Sequence, residues 1–447
     1  MREKILRNPA QALGNRLSIS ENCIMHVWIY MAVREAVALD GLAALRQGEW
    51  KAIHSYQLMN LPISVWRLLI LLLALAPLGY YLAGILAAVR FFTRERAKRL
   101  PDFAPPASVL KPVHGIDFAT YENFASFCQQ DYPSYEILFC VNELSDPAVA
   151  IIQRVMADFP ERPIRILSGA AQIGSNRKIN NLVLLAREAR HEILVQSDGD
   201  VRVGPNYLRE VVAPFRDPSV GVVSCLYRGI AQNNLWAELE AVGAASDFMA
   251  GALVAGWKEG VTFALGASVT TTKSWLAKIG GYEALANLLA DDYEIGNRVY
   301  KVGAKVLLSR EAVWTMYPAQ TARGFWEHQV RWARTIRLVR PASFLGLLFT
   351  HGLPLALLAA AVAPAAWISA AYLLAYLVLR LGMAWVVGVW GLQDEVLRRK
   401  LWLVPLRDLL HFAVWLAAFT SHRIQWGGLE YELRDGQMTQ PQLPAKK

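Results

Sequence analysis

The chain has 447 residues, of which 54% are hydrophobic and 15 are Trp, with a formal net charge of +9. That length exceeds a single core, and the hydrophobic share with a positive mean hydropathy excludes an ordinary soluble enzyme in favour of a membrane protein with a sizeable soluble part. The basic residues form no continuous tract and no RNA-binding signature but flank apolar spans, which excludes nucleic acid as a partner.

Residues 1–60 begin with charges and hold only a modest apolar stretch near Val27–Val33, so an N-terminal extension without a cleavable signal peptide is expected. A membrane helix is predicted within 61–92, because Leu68–Val89 carries no charge and matches the roughly 20 residues needed to span a bilayer. Arg90, Arg94, Arg96, Lys98 and Arg99 follow directly and place the downstream side in the cytoplasm by the positive-inside rule.

Residues 101–340 are much less apolar and read as a soluble α/β domain. Short buried strands are predicted at Ser108–Leu110, Glu136–Val141, Ile164–Leu167, Ile193–Gln196 and Val220–Cys225, with helical patterns such as Ala148–Phe159 and Ile179–Ala189 between them. That alternation implies a largely parallel, Rossmann-like sheet covered on both faces. Cys23, Cys128, Cys140 and Cys225 show no metal spacing and read as reduced core residues.

Between Pro341 and Leu392 the only charged side chain is Arg380, and Pro364 offers a break, so 341–392 reads as two spans, near 343–362 and 367–391. Arg398, Arg399 and Lys400 then mark a return to the cytoplasm. Leu401–Thr420 is apolar but carries Arg407-Asp408 in its middle, which is expensive in hydrocarbon. For 401–424 an interfacial or re-entrant helix therefore stands beside a third crossing, and 425–447 reads as a polar cytoplasmic tail.

The chemistry concentrates in five segments. Ile193-Leu-Val-Gln-Ser-Asp-Gly-Asp-Val-Arg202 is a buried-strand pattern ending in Asp198-Gly199-Asp200, which puts two carboxylates at the carboxyl end of a strand, where open α/β sheets bind ligands. Such hard oxygen ligands suit Mg²⁺ or Mn²⁺, although surface turns also contain Asp-x-Asp. Leu110-Lys-Pro-Val-His-Gly-Ile-Asp117 follows the first strand, and Asp117 could equally cap a helix beginning near Phe118. Ile173-Gly-Ser-Asn-Arg-Lys-Ile-Asn-Asn-Leu182 precedes a helix and could cradle a phosphate or ribose. Leu289-Ala-Asp-Asp-Tyr-Glu294 opens another helix, as capping carboxylates or as the position of a general base. Phe325-Trp-Glu-His-Gln-Val-Arg-Trp-Ala-Arg334 lies just before the second membrane region, as interfacial anchors or as a diphosphate-binding guanidinium pair, Arg331 with Arg334.

Their order (Lys-Pro-x-x-Gly-x-Asp, Gly-x-Asn-x-Lys-x-x-Asn, Asp-x-Asp, Asp-Asp-Tyr, then Arg-Trp at a membrane boundary) resembles the membrane-bound family 2/family 21 glycosyltransferases over about residues 65–430. Within them it resembles the ceramide glucosyltransferase-like branch, which includes bacterial hopanoid-biosynthesis glycosyltransferases. The resemblance implies a GT-A domain facing the cytoplasm of a bacterial inner membrane, taking a UDP-sugar donor and a membrane-lipid acceptor. By it, Asp117 binds the uridine part, and Gly174, Asn176, Lys178 and Asn181 shape the donor site. Asp198, with Asp200, reaches the metal and the diphosphate, and Asp292 is the catalytic base. Arg331 and Trp332 belong to the Gln/Arg-x-x-Arg-Trp signature, from which this chain departs by having His328, with Gln329 adjacent as a substitute contact. His328, Arg407 and Asp408 are candidates for the acceptor side, Arg407 and Asp408 alternatively forming a mutual ion pair. UDP-N-acetylglucosamine and bacteriohopanetetrol are the implied substrates; the alternatives are UDP-glucose with ceramide, a processive polysaccharide synthase, and a non-catalytic membrane scaffold.

Overall fold

The computed structural model describes residues 63–421, 423–426, 429–434 and 437–439; the N-terminal extension and Cys23 lie outside the described residues. The chain divides into two compact units, residues 1–65 and 66–447, and every described strand belongs to the second.

Eight strands form one sheet: β1 (Ala107–Pro112), β2 (Tyr135–Val141), β3 (Ile164–Ser168), β4 (Ile193–Ser197), β5 (Val201–Arg202), β6 (Val220–Ala231), β7 (Ser268–Thr272) and β8 (Lys305–Tyr317), in the order 3-2-1-4-7-6-8-5. The first half, β3-β2-β1-β4, is parallel. β7 then inserts antiparallel between β4 and β6, and β6 and β8 pair in parallel. This is the expected GT-A arrangement. β1, β2 and β4 are buried along their whole length, which is why they read as mostly apolar runs without a two-residue alternation.

Successive residues of these strands feed two cores on opposite faces. Val109, Ile137 and Val195 point into one. Leu110, Leu138 and Leu194 point into the other, against Ile179, Leu182 and Leu185 of helix Arg177–Glu188. Cys128, Cys140 and Cys225 are free and buried, and burial pushes each thiol up to about 12. They are inert core residues.

Three described helices are long and apolar enough to cross a membrane: Ile63–Ala97, Leu235–Glu259 and Ala366–Gly391. Pro341–Thr350 and Gly352–Val362 form a fourth candidate bent by 51° at its break. Leu235–Glu259 lies inside the stretch expected to be soluble. Its apolar character is masked in the sequence by Glu238, Glu240 and Asp247, and 61% of its most apolar window is buried in protein. The helix carrying Arg407-Asp408 spans Val404–Ala417, 14 residues, too short to cross hydrocarbon alone. Beyond it, where a polar tail was expected, β9 (Arg423–Trp426), β10 (Leu429–Arg434) and β11 (Gln437–Thr439) form an antiparallel sheet. Buried Ile424 and Tyr431 pin it against Leu289, with Leu338 alongside.

Candidate active site

β4 ends at Ser197, and the chain turns through Asp198-Gly199-Asp200 into β5. The Asp198 N–H donates to Ala267 O, and Asp198 O accepts from the Lys111 ammonium at 2.6 Å. Lys111 is fully buried at the end of β1, its Nζ 3.9 Å from the Phe127 ring centroid. Burial lowers its pKa to about 7 against the opposing pull of Asp200 and Asp198. Lys111 opens the Lys-Pro-x-x-Gly-x-Asp pattern, but nothing in that pattern announces that its ammonium will hold the Asp198 carbonyl.

Asp200 lies among like charges: burial first, then Asp198 and Asp117, push its carboxyl up to about 7, with Lys111 opposing. This proximity brings Asp117 to the site from the loop after β1. Its side chain caps nothing; the following helix starts at Thr120 after Ala119, and only the Asp117 backbone bonds the Thr120 hydroxyl. Asp146 fixes that loop by accepting the Gly115 N–H, a role the sequence did not signal.

The Gly-Ser-Asn-Arg-Lys segment works mainly through packing. A Cβ on Gly174 would stand 2.4 Å from Ala286 O. Asn176 caps helix Arg177–Glu188 by accepting from Ile179 N, and its amide donates to Leu288 O. Asn181 is buried with its Oδ1 unpartnered among the described residues. Asn180, missed in the sequence, accepts from Ile173 N and Gly174 N and so shapes the loop. Lys178 reaches two carboxylates, 2.7 Å from Asp198 and 3.6 Å from Asp291, and the Asn176 amide donates to Asp291 as well. Burial lowers its pKa, but Asp198, Asp291 and Asp292 together raise it above the ordinary lysine value.

Asp291 and Asp292 open helix Asp291–Lys301. Asp291 is buried against Lys178 and Asn176. Asp292 is less enclosed, and its Oδ2 lies against Gly266, where a Cβ would come within 2.7 Å. Burial and then the Asp291 charge push the Asp292 carboxyl up to about 6, the range useful to a general base.

Helix Ala322–Val339 contributes the Arg-Trp pair. The Arg331 guanidinium has no hydrogen-bond partner among the described residues, and burial lowers its pKa to about 10, so it remains a cation at neutral pH. Trp332 packs edge-on to Phe248, which meets Tyr227; the Tyr227 hydroxyl accepts from Ala267 N, next to Gly266. His328 lies between Glu240, 2.5 Å from Nδ1, and the Trp332 indole N–H, 2.9 Å from Nε2.

The Gln329 Oε1 accepts from Arg407 at 2.6 Å. Two expectations need correction. Arg334 is turned away from the site, donating to Arg423 O at 2.6 Å. Arg407 and Asp408 do not pair with each other. Neighbours along a helix point about 100° apart, so Asp408 takes a fork from Arg380 and a hydroxyl from Tyr376, while Arg407 faces Asp247 and Gln329.

Among the described residues no cluster of three or more His, Cys, Asp or Glu side chains could hold a metal. Asp198 and Asp200 nevertheless fit Mg²⁺ or Mn²⁺, which take one or two carboxylates and complete their shell with water and substrate phosphate oxygens.

Curated relatives include ceramide glucosyltransferase 1 of Caenorhabditis elegans, 27% identical over 57% of this chain and 55% of that protein, and the ceramide glucosyltransferase of Candida albicans, 32% identical over 24% and 22%. The chain thus matches about half the length, or less, of these relatives. Among solved structures, the mannosyltransferase PcManGT from Pyrobaculum calidifontis, in complex with GDP-Man and Mn²⁺, aligns with a TM-score of 0.44 at 17% identity over 78% of this chain and 99% of that one. Residues 69–439, which include every segment of the site, match glycosyl transferase family 21, and the chain belongs to that family.

Proposed function

We propose that this protein transfers a sugar from a UDP-sugar to a hydroxyl of a membrane lipid, with inversion at the anomeric carbon. The observation that carries this reading is Asp292: a carboxylate held near pKa 6 at the start of a helix, sharing one acidic site with Asp198 and Asp200.

In this reading Asp292 takes the proton of the acceptor hydroxyl as that oxygen attacks the anomeric carbon opposite the diphosphate. The bond from that carbon to the diphosphate oxygen breaks, and its electron pair leaves with UDP. Arg331 sets a fixed positive charge against the leaving group. Asp198 and Asp200 would hold a divalent cation, which offsets charge on the diphosphate. Asp117 contacts the uridine part of the donor, while Gly174, Asn176 and Asn181 shape the donor loop and Lys178 orders the surrounding carboxylates. The membrane-spanning candidates bring a lipid to the site with its tail still in hydrocarbon. Arg407 and Asp408, engaged by protein partners, frame that access. The catalytic domain faces the cytoplasm of a bacterial inner membrane, the side assigned by the basic cluster after Val89.

For the substrates, the hopanoid-type resemblance supports UDP-N-acetylglucosamine and bacteriohopanetetrol. The names of the curated relatives support a second reading, UDP-glucose and ceramide. The test is UDP release by the purified full chain, each donor crossed with each acceptor, with D292N as control. Acceptor-dependent turnover lost in D292N establishes the reaction and names the pair. Intact UDP binding with no turnover on any lipid refutes the lipid assignment.

A further inference from the structure

Helix Ala322–Val339 is tied to helix Leu235–Glu259 directly at His328 and, at Gln329, only through Arg407 of helix Val404–Ala417. Glu240 takes His328 directly, while Asp247, seven residues on, lies 3.6 Å from Arg407, which holds Gln329. Seven residues are nearly two turns, and a π-helical turn at Ala244–Phe248 intervenes, placing Phe248 on the Trp332 ring. Such turns recur at functional sites.

The contacts at Glu240 form a directed chain. Its Oε1 lies 2.5 Å from His328 Nδ1, and its Oε2 accepts from the Gln320 amide. His328 Nε2 accepts from the Trp332 indole N–H. An imidazole that accepts at Nε2 carries its proton at Nδ1, and Glu240 is the acceptor that selects this tautomer. The Glu240 side chain is 9% exposed while Trp332 is 39% exposed, so the chain runs from the protein interior to a ring that borders open space beside Arg331.

We propose that Glu240 is a positioning residue that orients Trp332 through the His328 imidazole, for the glycosyl transfer proposed above, on whose reading its effect on turnover rests. Gln, one of the two residues that the Gln/Arg-x-x-Arg-Trp signature places at position 328, satisfies the same demands: its amide nitrogen donates to Glu240 and its oxygen accepts the indole N–H. Arg, the other, has no acceptor for that N–H, so His328 preserves the hydrogen-bond logic of the Gln form alone.

The test compares H328L, H328Q, E240L and E240Q in the purified full chain, with two readouts. The first is turnover. H328L and E240L should lose about tenfold to a hundredfold in kcat, the scale of a mispositioned group, with UDP affinity unchanged, while H328Q and E240Q should recover most of that loss. The second is the indole ¹H–¹⁵N signal of Trp332, assigned by its disappearance in W332F. It should shift in H328L and E240L and return toward its original place in H328Q. A folded H328Q as impaired as H328L, or a Trp332 signal unmoved in E240L, would overturn the proposal. If E240L does not fold, the His328 pair decides. If the wild-type protein turns over no lipid, the transfer reading fails, and the indole signal alone decides the positioning.

Discussion

Lys178 and Asp198 meet at 2.7 Å, joining helix Arg177–Glu188 to the Asp-x-Asp turn. The same ammonium lies 3.6 Å from Asp291, so one cation ties together the two acidic segments. K178M leaves those carboxylates facing each other. A fully buried pair broken on one side costs about 3–5 kcal/mol, and with Asp198 a third exposed a loss of about 2 kcal/mol is expected. Chemical unfolding of the purified protein measures it; UDP affinity should fall in parallel.

With Asp292 as the proposed base, its ionisation sets the direction of the pH response. The carboxyl, raised to about 6 by burial and Asp291, accepts a proton only when ionised, so turnover should rise as pH passes upward through about 6 and then level off. D292N should lose about 10²- to 10⁴-fold at every pH while still binding UDP. A pH–rate profile with no acid limb between about 5 and 7 would count against this assignment.

Chelation tests the Asp-x-Asp turn. EDTA should abolish turnover, and Mn²⁺ or Mg²⁺ should restore it. D200N should raise the Mn²⁺ concentration for half-maximal rate at least about tenfold, with the purified protein otherwise as stable as the parent. Turnover indifferent to EDTA would remove the metal from the mechanism.

Arg380 sits in an apolar helix yet is 2% exposed at its side chain, forked onto Asp408 and bonded to Asp247. R380L should therefore lower stability by about 3–5 kcal/mol, read as thermal unfolding in detergent. R380L combined with D408L should recover part of that loss, because the second change removes the carboxylate left unpaired.

Much of the site was legible because strand ends and helix starts carry strong local signals. Asp198 follows a short buried strand that begins Ile193-Leu-Val, and Asp291-Asp292 sits where a helix begins. What escaped was decided by contacts remote in sequence. Nothing around Gln329 announces Arg407, 78 residues away, and nothing around Arg407 says that its neighbour Asp408 will turn to Arg380 instead. Glu240 was hidden because charges at Glu238, Glu240 and Asp247 made an apolar helix look like part of a soluble domain. The terminal sheet escaped because, among the described residues, Ile424 and Tyr431 alone mark its buried face.

The terminal sheet also bears on catalysis. Leu289, on which Ile424 and Tyr431 pack, stands two residues before Asp291. I424A should cost about 2–5 kcal/mol locally, and kcat should fall more than UDP affinity, a split that steady-state kinetics and UDP titration resolve.

Tyr81, Ala88 and Phe92 of the first apolar helix and Tyr376 and Met383 of the last share one continuous core with Phe124, Phe139 and Val195 of the sheet domain. An enzyme tethered by a stalk could be cut free and remain itself. Here residues 101–340 alone would expose a raw face where those helices were, and would fold poorly or clump. For this protein the apolar helices are one wall of the sheet domain, so any attempt to shrink the molecule must keep them.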